Sequence, residues 1–119
     1  MPTGARDWLP DLQSQYLSRS DKKLAEFSCA LESFIANPDD AACELRLRNL
    51  LHNLIGSGGS FGFLRITEAA RALASVVKES RKQGWPIGDQ TAKALRAGLE
   101  KVREAFGTAM AERESKAES

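Results

Sequence analysis

The spacing of apolar residues restricts this chain to helices. Toward the C-terminal end Ala92, Leu95, Leu99, Val102, Phe106 and Met110 recur at intervals of three and four, which lines one face of an α-helix. Leu24, Phe27, Leu31 and Phe34 keep the same rhythm, and so do Ile66, Ala69, Ala70, Leu73, Val76 and Val77. The two-residue alternation of a half-buried strand is absent, so the fold class is all-α.

Punctuation between these runs sets the helix boundaries. Trp8, Leu9, Leu12 and Tyr16 suggest a short first helix that ends near Ser18-Arg19-Ser20. Ser20 is expected to cap the second helix, and Asn37-Pro38 to stop it, because proline cannot continue a helix. Asp39 or Asp40 then places negative charge where the helix dipole favours it, opening a third helix that runs to about Ser60. Gly62 marks a break, and Gly84-Trp85-Pro86 a turn before the last helix. Four long helices with short connections predict an antiparallel up-down four-helix bundle, with the additional short N-terminal helix as a lid. Residues 112–119 carry no apolar rhythm and are expected to fray, leaving a core of about 8–111 within one domain of 119 residues.

Composition narrows the function. With 17 basic and 16 acidic residues the net charge is +1, so no strong field recommends nucleic acid or a membrane surface as a partner. No apolar stretch approaches the roughly 20 residues that span a bilayer, and residues 1–7 lack the layout of a secretory signal. Cys29 and Cys43 form neither a disulfide framework nor a metal pattern, and are expected as buried or half-buried free thiols. A cytoplasmic protein is the expectation.

The one histidine, His52, stands inside the third helix. Leu47, Leu50, Leu51, Leu54, Gly58 and Phe61 fall on one stripe, and His52 points roughly 150° from its centre at 100° per residue. The imidazole is therefore expected outside the core. Gly56 and Gly59 share its outer face, where a helical glycine costs up to about 1 kcal/mol and core packing offers no compensation. Close approach of a partner does. Gly58 is on the core stripe, where it lets a neighbouring helix come near.

His52-Asn53-Leu54-Ile55-Gly56-Ser57, with Gly62 ten positions after the histidine, resembles the H-x-L-[K/R]-G-S-x-x-x-x-G signature of histidine-containing phosphotransfer (HPt) domains. The helices on either side fit that family's four-helix bundle over roughly residues 8 to 111. The resemblance implies a phosphorelay carrier rather than a turnover enzyme. Its histidine takes a phosphoryl group from an aspartyl-phosphate on the receiver domain of a hybrid histidine kinase and passes it to the receiver of a response regulator. It also implies that Mg²⁺ belongs to the receiver, so that no cofactor is expected here. An imidazole is a competent nucleophile near neutral pH, and phosphoryl transfer asks mostly for alignment and charge neutralisation.

One position departs from the signature. Ile55 stands where the family often has lysine or arginine, so a cation for the phosphoryl oxygens must come from elsewhere. Arg48, one turn before His52, is the first candidate, and Lys78 and Arg71 on the next helix follow. Ser57 is read as a supporting residue that bonds to a backbone carbonyl, and Phe61 and Phe63 as plugs for the helix break. Trp8 and Tyr16 are expected to seal the bundle's end. A monomer is expected, because a receiver must reach the helix. The rival reading is an HPt-like interaction module that binds a kinase or receiver without accepting phosphate; a metal- or cofactor-binding bundle lacks the inward carboxylate pairs it would need.

Overall fold

The computed structural model describes residues 9–84 and 86–118, and among these described residues there are five helices: α1 (Leu9–Ser18), α2 (Ser20–Ala36), α3 (Ala41–Ser60), α4 (Leu64–Gln83) and α5 (Asp89–Glu118). No strand occurs among the described residues. The expectations for residues 1–7, Trp8, Trp85 and Ser119 lie outside them.

Helix α2 packs on α3 and α5, and α4 also packs on both, so the four long helices close around one core while α1 lies against α2 and α5. Leu31, Leu47, Ile66, Leu73, Leu95 and Val102 are wholly enclosed, and Phe34 and Phe106 nearly so. These are the stripe residues of the four runs, and burying each contributes about 1.5–3 kcal/mol. No helix among the described residues is long and apolar enough to cross a membrane.

The helix ends follow local chemistry. Asp40, not Asp39, caps α3, its carboxylate accepting from the Ala42 N–H at 2.9 Å and the Cys43 N–H at 3.4 Å. Asn37 closes α2 by donating its backbone N–H to the Ser33 carbonyl. Gly62, at φ +81°, turns the chain from α3 into α4, a conformation that suits glycine. Beside it, the Phe63 N–H donates to the Gly58 carbonyl at 2.7 Å.

Some expectations need correction. Ser20 does not cap α2: Arg19 takes that position without a side-chain bond, and Ser20 is buried, its hydroxyl donating to the Met110 sulfur at 3.6 Å. One residue separates α1 from α2, which leaves no room for an extended cap and turns the serine toward α5. Met110 is itself 40% exposed, at the margin of the core rather than within it. Cys29 is exposed, and only Cys43 is half-buried. Ala69 and Val76 are half-buried, whereas Thr67 and Ser80 on α4 are buried with their hydroxyls bonded to the Ile55 and Val77 carbonyls. Residues 112–118 remain helical. Arg113 explains part of this, donating to Gln13, to Ser14 and to the Pro10 carbonyl and so tying the end of α5 to α1.

Candidate functional site

Helix α3 carries the site. Leu47, Leu51 and Leu54 anchor its inner face at 0%, 3% and 4% exposure, and His52, one step round from Leu51, is exposed. Two attachments to α4 and α1 fix the helix near the histidine. The Thr67 hydroxyl donates to the Ile55 carbonyl at 3.0 Å, and the Tyr16 and Ser57 hydroxyls share a hydrogen bond of 2.8 Å. A base or nucleophile on such a helix is held by packed neighbours instead of a loop.

Gly56 and Gly59 are exposed on the same ridge as His52. A Cβ added at Gly56 would meet nothing within 4 Å, and one at Gly59 only the Thr67 hydroxyl at 3.8 Å. Nothing inside the molecule therefore requires either glycine. Gly58 is different: its Cβ would stand 2.6 Å from Thr67 Oγ1 and 3.2 Å from the Thr67 nitrogen. The inner glycine serves the α3–α4 contact, and the outer pair leaves bare backbone beside the imidazole.

His52 opens on a groove of about 600 Å³ between α3 and α4. Leu51, Ile55, Ala74 and Val77 supply apolar lining, and Arg48, Lys78 and Arg81 bring three cationic side chains. On the other side of the ridge a smaller groove of about 200 Å³, between α2 and α3, is lined by Leu50, Asn53 and Phe27 among others. A large partner straddling the ridge would thus reach the imidazole between two depressions.

Of the residues singled out in the sequence, the structure brings His52, Arg48, Lys78 and Ile55 to the one groove. Lys78 has no ion pair among the described residues. Arg71 is exposed on α4 but does not line the groove. Ser57 faces Tyr16 and also donates weakly, at 3.4 Å, to the Leu54 carbonyl, so its hydroxyl steadies the helix on a face turned from His52. Phe61 and Phe63 are half-buried and pack against the Tyr16 ring, with centroids 4.9 and 5.8 Å away. Burial pushes the Tyr16 phenol above its usual pKa, and the bond to Ser57 works the other way.

Sequence reasoning missed Glu44 and Arg81. Glu44 is half-buried, and its Oε1 lies 2.5 Å from Arg81 Nε and 3.9 Å from Arg48 Nη1. The first contact crosses from α3 to α4, and the second is an i,i+4 pair on α3. The helical spacing of Glu44, Arg48 and His52 was a usable signal. The cross-helix partner was not, since it depends on how α4 registers against α3. Among the described residues no group of three His, Cys, Asp or Glu side chains could hold a metal ion.

The arrangement provides an exposed nitrogen nucleophile, a cleared approach and a cationic border suited to an anionic group. A model of the Hpt domain matches residues 11–105, most of the chain. No curated protein and no solved structure matches it.

Proposed function

The chain belongs to the Hpt domain family, a phosphotransfer module of two-component signalling, and from that premise we propose that His52 is its phosphorylated residue. In this reading the protein is a carrier. It accepts a phosphoryl group from the aspartyl-phosphate of a hybrid kinase's receiver domain and delivers it to the aspartate of a response regulator. The four long helices, running up and down in antiparallel order, act as the rigid support. The protein works as a cytoplasmic monomer, so that one receiver at a time covers the ridge.

The step balances without a further reactant. The lone pair of an imidazole nitrogen forms the N–P bond as the acyl P–O bond breaks, and its electron pair remains on the aspartate carboxylate. The proton on the other ring nitrogen stays in place or passes to solvent. Delivery to the second aspartate reverses these changes. Mg²⁺ and the acidic pocket are the receiver's contribution; this chain offers the nucleophile, its alignment and cations at the border. Gly56 and Gly59 admit the receiver's loops, and Arg48 and Lys78 take the place of the base missing at Ile55.

The observation that carries the reading is the exposed His52 on a ridge with nothing above Gly56, in a chain of this family. The experiment is incubation with phosphorylated receiver domains, followed by a search for acid-labile, base-stable label on His52. A receiver that binds without transferring label would instead make the chain an interaction module.

A further inference from the structure

The groove beside His52 contains a charge arrangement that the phosphocarrier reading does not explain. Arg48 and Arg81 line the groove, and both approach the half-buried carboxylate of Glu44 behind them. Positions 44, 48 and 52 follow one another by single turns, about 6 Å of rise each, so Arg48 lies midway between the Glu44 carboxylate and the imidazole. Its side chain is 57% exposed and its contact with Glu44, at 3.9 Å, is at the limit of an ion pair. Arg81 holds the same oxygen at 2.5 Å from the opposite helix. That oxygen is enclosed and has no aligned hydrogen bond, so it keeps accepting capacity for whichever cation is nearer.

We propose that Arg81 is a positioning residue: by occupying Glu44 it releases Arg48 to pair with the phosphoryl oxygens on His52. The inference rests on the phosphocarrier reading and adds a division of labour between the two arginines. A half-buried carboxylate deprived of its close partner recruits another cation, because leaving it unpaired costs more than the entropy of tethering an exposed side chain. Without Arg81 that cation is Arg48, one turn away on the same helix. With Arg81 in place, Arg48 is only loosely held and its guanidinium fork is available to a phosphoryl group, whose oxygens it matches in a bidentate manner. The missing cation at Ile55 is thus supplied from the preceding turn, on condition that α4 neutralises the competing carboxylate.

The test compares Arg81→Gln, Glu44→Gln and the double variant Glu44→Gln/Arg81→Gln with the unaltered chain. Each is phosphorylated with potassium phosphoramidate, and the half-life of the phosphoryl group on His52 is followed at low salt after the donor is removed. Arg81→Gln is expected to shorten the half-life by about two- to fivefold, the scale of one partly exposed ion pair. The double variant is expected to restore it, because the competing carboxylate is gone. Restoration is the readout that a purely structural role for Arg81 would not give. An unchanged half-life in Arg81→Gln, or a double variant as short-lived as the single one, overturns the proposal. If Arg81→Gln does not fold, the double variant is compared with Glu44→Gln alone: equal half-lives support the proposal, and a shorter one in the double variant overturns it. Failure of the unaltered chain to take label on His52 is a separate result, which removes the phosphocarrier reading itself.

Discussion

Gly58 and Thr67 lie so close that a methyl group on the glycine would stand 2.6 Å from the threonine hydroxyl oxygen. This contact sets α4 against α3 six residues beyond His52, while the Thr67 hydroxyl itself bonds back to the Ile55 carbonyl. The groove beside the histidine is therefore a consequence of how tightly these two helices meet.

Gly58→Ala is expected to destabilise the fold by about 1–3 kcal/mol, since the added carbon must displace Thr67 backbone as well as its side chain. Gly56→Ala is expected to stabilise it by about 0.5–1 kcal/mol, because the new methyl meets open space and alanine favours the helix. Urea unfolding of the two variants side by side measures both, with opposite shifts of the midpoint.

The stabilised helix should work less well. Gly56→Leu keeps the helix and fills the space over the ridge, so transfer from a phosphorylated receiver is expected to fall by at least tenfold, the equivalent of about 1.4 kcal/mol. The comparison that decides is transfer rate against unfolding midpoint in the same preparation. Normal transfer by Gly56→Leu would mean that the bare backbone is not the landing place.

Tyr16 is the single tyrosine of the chain, so its ultraviolet titration is uncontaminated by others. Burial raises its pKa above 10.0, and a group raised in the folded state contributes stability that is intact below its unfolded pKa. That contribution is lost as pH climbs from about 10 through the higher folded value. The midpoint of the tyrosinate absorbance change is expected to lie above that of a free tyrosine, and to fall back toward it when the chain is unfolded in urea. Tyr16→Phe removes the bond to Ser57 and is expected to cost about 0.5–1.5 kcal/mol near neutral pH.

Arg48→Ala is expected to shorten the life of phosphohistidine by about two- to fivefold, and to lessen its dependence on salt. Following the decay of label at two ionic strengths checks both. An unchanged lifetime would transfer the role to Lys78, the groove cation that forms no ion pair among the described residues.

Periodicity alone was enough to read the α3 stripe, and with it the outward direction of His52 and the contrast between Gly58 and Gly56. Each depends on a single helix, where 100° per residue decides which side faces the core. An acidic start to α3 at Asp39 or Asp40 and the break at Gly62 were legible as local chemistry, whereas the choice of Asp40 as the capping residue came from the structure. Ser20 misled because serine is a favoured cap by type, whereas with one residue between α1 and α2 it lies inside the second helix and faces α5. The Arg113 bonds to α1 and the Arg81–Glu44 pair lie between segments far apart in the chain, and their partners are chosen by the register of packed helices. No spacing within one helix encodes that register.

The most direct measurement incubates the protein, and its His52→Gln variant, with receiver domains carrying radiolabelled aspartyl-phosphate. The account predicts label that is stable to base and lost in acid on the unaltered chain, and none on the variant, with both showing the same thermal melting. Equal labelling of the two proteins would contradict it, because the phosphoryl group would then reside on a residue other than His52.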